Sequence, residues 1–172
     1  MVSSHHARMC RGTHFCFSFV RNPFDRLVSA YNNKLIELKE IPGPMKAMGL
    51  IHSMPFGLFL EVVASTDDEK LDIHLLPQSK ILCLNGQIIP SFIGRLETID
   101  QDWSRLQKQL RRERLPNLGA LPEKNIRRVT DTQDLSHYFQ DPGFVRIVSE
   151  RYGDDIERFY GNKSTQELIQ MQ

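Results

Sequence analysis

The chain has 172 residues, 40% of them apolar and 25% charged, the profile of a single soluble globular domain with a real core. Its 22 Lys and Arg against 21 Asp and Glu leave a net charge of +1, so no global field steers it onto nucleic acid or an anionic membrane, and any anion site must be local. No apolar run approaches a membrane span and the amino terminus lacks a signal-peptide core; the odd set of Cys10, Cys16 and Cys83, without CxxC spacing, argues against a disulfide framework or a zinc site and reads as buried or spare thiols.

The first element is a strand in which Phe15, Phe17 and Phe19 alternate with Cys16, Ser18 and Val20, a pattern expected of a strand buried largely on both faces. It should stop at Arg21. Asn22 is a good N-cap, Pro23 suits the first helical position, and Asp25 favours the positive first turn, so a helix starts at once. Helical stepping gathers Phe24, Leu27, Val28, Tyr31, Leu35 and Leu38 on one face and Asn22, Arg26, Ser29 and Asn33 on the other. IPGPMKAMG, with paired prolines and glycines, then reads as a loop. Phe56, Phe59, Leu60 and Val63 form a helical core stripe closed by STDDEK. ILCL reads as a short buried strand, Asn85-Gly86 as a turn, and Ile88 to Gly94 as a returning strand, either in a hairpin or in a parallel sheet. Thr98 and Gln101 fit a capping box for a helix with Ile99, Trp103, Leu106 and Leu110 on its apolar face, and Arg111, Arg112 and Arg114 read as its solvated end. After the long loop LPNLGALPEKN, helices are expected around Thr132 to Gln140 and Pro142 to Tyr160, then a polar tail or short surface helix.

Arg21 ends a buried strand, the position at which open α/β sheets bind ligands. A guanidinium there can fork onto a phosphate while the Ser29 hydroxyl, on the polar face of the next helix, completes the contact. The alternative is a generic strand and capped helix in which Arg21 makes a structural salt bridge. Arg95 and Glu97 follow the later strand on the same side, where an internal ion pair is the ordinary reading.

VRNPFDRLVSAY, from Val20 to Tyr31, resembles the 3′-phosphate-binding motif of the carbohydrate sulfotransferases that use 3′-phosphoadenosine 5′-phosphosulfate. DIHLLPQSKILCL is similar to that family's HW-x-PQ segment, with Leu75 in place of the usual Trp. FIGRLETIDQDWSRL and RYGDDIERFYG resemble two later family segments, so the likeness runs in order from about Phe15 to Gly161. It implies a three-layer α/β fold with a mainly parallel sheet, like that of the P-loop nucleotide kinases, over residues 1–161, with 162–172 as a polar tail. It also implies sulfuryl transfer to a carbohydrate hydroxyl without a metal, with Arg21 and Ser29 on the donor's 3′-phosphate. A nucleotide-binding fragment without transfer activity is the alternative.

The acceptor hydroxyl needs a base, and six histidines are present. His5 and His6 lie where relatives place a histidine that serves as base or contacts the acceptor, although surface histidines near a terminus are an equal reading. His74, within DIHLLPQ, is the second candidate; without the resemblance, it would read as a partly buried structural group. Arg127 and Arg128 could reach over the nucleotide. The family's phosphosulfate loop, with its lysine, is expected upstream of Phe15, and MVSSHHARMCRGTH holds no lysine, so the chain is expected to be amino-terminally incomplete. The implied compartment is the cytoplasm for a complete bacterial protein, or the Golgi lumen, behind an upstream anchor, for a truncated eukaryotic one. No oligomeric state is implied.

Overall fold

The computed structural model describes residues 14–121, 134–161 and 163–171. Strand β1 is Phe17–Val20, two residues shorter at its start than the phenylalanine pattern predicts. It is also less buried, with only Val20 wholly enclosed and Phe17 39% exposed. Asn22 then caps helix α1, Pro23–Tyr31, by accepting the Phe24 N–H at 3.1 Å, with Pro23 in its first turn. The cap is itself fully buried, rather than part of a solvated polar face. The chain continues as a π-helical turn over Asn32–Glu37, and Leu38, already extended and 38% exposed, falls outside the buried stripe.

The segment expected as a loop folds instead into helix α2, Gly43–Ala47, because Met45 inserts fully into the core and Pro44 suits a first turn. Helix α3, Phe56–Ser65, buries Phe59, Leu60 and Val63 as its spacing predicts. Helix α4, Gln78–Leu82, absorbs the first half of ILCL, leaving Cys83–Leu84 as a two-residue β2 that is only half-buried. Asn85 and Gly86, both at positive φ (50° and 75°), turn β2 back into β3, Gln87–Ile88, an antiparallel hairpin. The chain then enters β4, Phe92–Arg95, which pairs in parallel with β1 in the register Phe17 with Phe92 and Val20 with Arg95. Both expectations for this segment are therefore met, the hairpin first and the parallel pairing after it. Among the described residues the parallel sheet of this α/β chain is two strands wide.

A 3₁₀ turn, Leu96–Thr98, leads into α5, Ile99–Arg112. The expected capping box does not form, since the Thr98 hydroxyl donates to Asp102 at 2.9 Å instead of accepting a backbone N–H. The remaining helices are α6, Leu135–Tyr138, capped by Asp134; α7, Pro142–Arg151, capped by Asp141; and α8, Gly153–Asp155, which runs into a π-helical turn at Ile156–Tyr160. The single helix expected from Pro142 to Tyr160 is thus broken at Tyr152. The tail takes the helical option as α9, Thr165–Gln170, with a capping box from Ser164 and Glu167 and a fully buried Leu168.

The described residues form two compact units. The first comprises Asn22–Ile81 with Asp134–Met171, and the second holds 14–21 and 82–121. The first is built on aromatic edge contacts, among them Phe24 with Phe139 at 5.0 Å and Phe56 with Tyr138 at 4.9 Å. In the second, Phe15, Phe19 and Trp103 pack around Phe92, Leu106 and Leu110. The Phe19 ring lies on Gly94, its register partner, so closely that a Cβ there would collide with the ring. The reading of the three cysteines as buried or spare thiols is corrected at Cys16, which is disulfide-bonded, while Cys83 forms no disulfide. No helix among the described residues is long and apolar enough to cross a membrane.

Candidate functional site

In the second unit, Arg21 follows the last residue of β1, and Arg95 ends β4 opposite Val20. The parallel register therefore brings two guanidinium-bearing residues to the carboxyl edge of the same pair of strands. Both are half-buried. That edge is the ligand side of a parallel sheet.

In the first unit, α1 carries Ser29, half-buried, one turn beyond Arg26 on the same side of the helix. Arg26 is not a spare polar residue. Its guanidinium donates to the carbonyl of Leu76 at 2.7 Å and to that of Ile73 at 3.0 Å, strapping the segment around His74 onto the helix that holds Ser29. The same segment is held from behind. The buried Tyr152 hydroxyl donates to the Leu75 carbonyl at 2.5 Å, and burial pushes its pKa well above the usual phenol value, which keeps the donor proton in place. Asp155, with no exposure, accepts the N–H groups of Gln78 at 2.7 Å and Ser79 at 2.6 Å, and so caps α4 from a distant part of the chain.

His74 is therefore presented on a braced turn with its side chain half-exposed, at 53%. Its partner is Asp72, 5% exposed, whose Oδ1 accepts both the His74 backbone N–H at 2.8 Å and a hydrogen bond from ring Nδ1 at 2.7 Å. A carboxylate can only accept, so Nδ1 carries a proton, and in the neutral ring Nε2 keeps its lone pair. This is the arrangement in which a buried carboxylate sets the tautomer of a basic imidazole. Asp72 was missed by pattern reasoning, although its position two residues before His74 allows a short local turn to bring them together. Arg26 was missed because its partners are main-chain carbonyls about fifty residues away.

Of the residues expected to form the site, the structure groups Ser29 and His74 in the first unit and places Arg21 in the second. His5, His6, Arg127 and Arg128 lie outside the described residues. Glu97 is half-buried in the turn between β4 and α5.

Carbohydrate sulfotransferase 14 of Homo sapiens is 28% identical over 113 residues, 57% of this chain and 29% of that protein. Its Danio rerio counterpart is 28% identical over 142 residues, 73% of this chain and 37% of its own. The chain thus spans about a third of the length of these curated relatives. No solved structure matches it. The sulfotransferase family model matches residues 1–161, a span that takes in β1 and α1, the braced His74 segment, β4 and the buried Asp155 alike, and on that match the chain belongs to the sulfotransferase family.

Proposed function

We propose that the chain catalyses sulfuryl transfer from 3′-phosphoadenosine 5′-phosphosulfate to a carbohydrate hydroxyl, on a three-layer α/β fold similar to that of nucleotide kinases. The observation that carries this reading is the Asp72–His74 pair, held at 2.7 Å on a turn that Arg26 straps to the helix of Ser29. A half-exposed imidazole with a free Nε2 suits the proton that an attacking sugar hydroxyl must lose. Arg21 forks onto the donor's 3′-phosphate. Sulfuryl transfer resembles phosphoryl transfer, which depends on positioning and on neutralising charge at the departing phosphate. As the acceptor oxygen bonds to sulfur, its proton passes to Nε2 of His74 and the bond from sulfur to the phosphate oxygen breaks, releasing adenosine 3′,5′-bisphosphate.

The carbohydrate acceptor is supported by the names of the relatives. A lumenal, oxidising compartment is supported by the disulfide at Cys16, since reducing compartments seldom keep one.

Calorimetric titration tests the donor assignment. Adenosine 3′,5′-bisphosphate is expected to bind better than adenosine 5′-phosphate, and Arg21→Ala to erase most of that preference, a loss of roughly 1.5–3 kcal/mol. Arg21→Lys should rescue it only in part, because an ammonium keeps the charge but lacks the planar fork. Equal affinity of the unaltered chain for the two nucleotides would overturn the assignment.

A further inference from the structure

A groove of about 470 Å³ lies within the first unit, inside the range of roughly 300–1,000 Å³ typical of ligand sites. Its two walls differ in chemistry. One is apolar, made by Pro44, Ala47 and Met48 at α2, the segment whose folding into a helix creates that wall. The other is polar, made by Ser65, Thr66, Asp67 and Lys70 where α3 ends.

The polar wall is already hydrogen-bonded within the protein, and this fixes what it can offer a ligand. The Ser65 hydroxyl donates to the Glu61 carbonyl at 2.8 Å and the Thr66 hydroxyl to the Val62 carbonyl at 2.7 Å, so each has committed its one proton and presents lone pairs. Lys70 bonds Asp67 at 2.9 Å, and that hydrogen bond, with the ammonium charge, holds the Asp67 carboxyl below its ordinary pKa. Asp67 therefore adds acceptor oxygens, and Lys70 keeps further N–H donors. An occupant must present several hydroxyl donors, at least one acceptor, and an apolar face towards Met48. A pyranose ring has all three, with its hydroxyls around the edge and its C–H bonds on one face.

One wall residue also reaches the partner of the candidate base. The Met48 sulfur accepts the Asp72 N–H at 3.4 Å, so a residue of the apolar wall touches the one that orients His74. We propose that this groove is the acceptor subsite and takes one pyranose unit of the carbohydrate that His74 deprotonates; the assignment rests on the sulfotransferase reading.

The test is methyl NMR of the 172-residue chain titrated with unsulfated chondroitin tetrasaccharide and with cellotetraose, alongside calorimetry with adenosine 3′,5′-bisphosphate. At least one sugar is expected to shift the Met48 and Ala47 methyl signals. Ala47→Trp, which fills the groove from an exposed position, should weaken that sugar by upwards of roughly tenfold, and Asp67→Asn by about three- to tenfold, the worth of one hydrogen bond. Nucleotide affinity should stay the same in both variants. Absence of methyl shifts with either sugar, or sugar binding unchanged in Ala47→Trp, overturns the subsite. Because nucleotide binding is read separately, the subsite can fail while the donor site stands, and the reverse.

Discussion

Asp72 holds His74 through both its backbone and its ring, so the orientation of the imidazole is fixed by one buried carboxylate. If His74 is the acceptor base, His74→Ala should lower sulfate transfer to glycans by about 10²- to 10⁴-fold and leave nucleotide affinity nearly unchanged. Nitrogen NMR of the ring should find the proton on Nδ1 in the unaltered chain and a mixture of tautomers in Asp72→Ala. A ring protonated on Nε2 alone in the unaltered chain, or full turnover in His74→Ala, would remove His74 from the mechanism. Asp102, 4% exposed, shows a second use of a buried carboxylate. Burial opposes its ionisation, but the Arg95 N–H, the Thr98 hydroxyl and the Arg105 guanidinium outweigh this and hold its pKa below the ordinary value of 3.8. A carboxyl with a depressed folded pKa contributes stability above the unfolded value and loses it as the pH falls through the folded one. Asp102→Asn should therefore melt below the unaltered chain at pH 7, and the gap should narrow below about pH 3.8. A gap that stays constant through that range would show that the charge on Asp102 adds nothing.

Helix α1 is specified by its own residues and α4 is not. The cap, the proline and the apolar spacing of α1 all lie between Asn22 and Tyr31, which is why the strand, turn and helix were legible in one run of sequence. The free N–H groups of α4 are satisfied by Asp155, 77 residues from Gln78, and no local spacing announces that partner. Asp155→Ala leaves two buried N–H groups without an acceptor and should cost roughly 2–4 kcal/mol in urea unfolding, whereas Asp155→Asn, which keeps an acceptor oxygen, should cost less. Equal losses in the two variants would mean that the oxygen is not what stabilises α4. The misreading of residues 43–47 as a loop has a similar origin. Prolines and glycines set the local preference, and burial of Met45 reversed it.

Across the whole chain, the family match ends at residue 161 while the first unit continues to Met171. Leu168 is fully buried, and its carbonyl accepts a hydrogen bond from Asn22 at 2.5 Å, so the last helix supports the residue that caps α1. Leu168→Ala should destabilise the chain by about 2–5 kcal/mol, the usual range for a buried leucine; an unchanged unfolding midpoint would show that the tail is only laid on the surface. By itself the sequence determined the elements whose causes lie within a few residues. These are the cap and face of α1, the positive-φ turn at Asn85-Gly86 and the stripes of α3 and α5. Only the tertiary structure decided the register of β1 on β4, the clasp of Arg26, the cap from Asp155 and the enclosure of Leu168. The physical reason is that periodicity, caps and turns act over one or two turns of chain and leave their spacing in the sequence. A buried polar group or apolar side chain instead takes whichever partner the whole fold brings within reach, and that choice leaves no spacing to read.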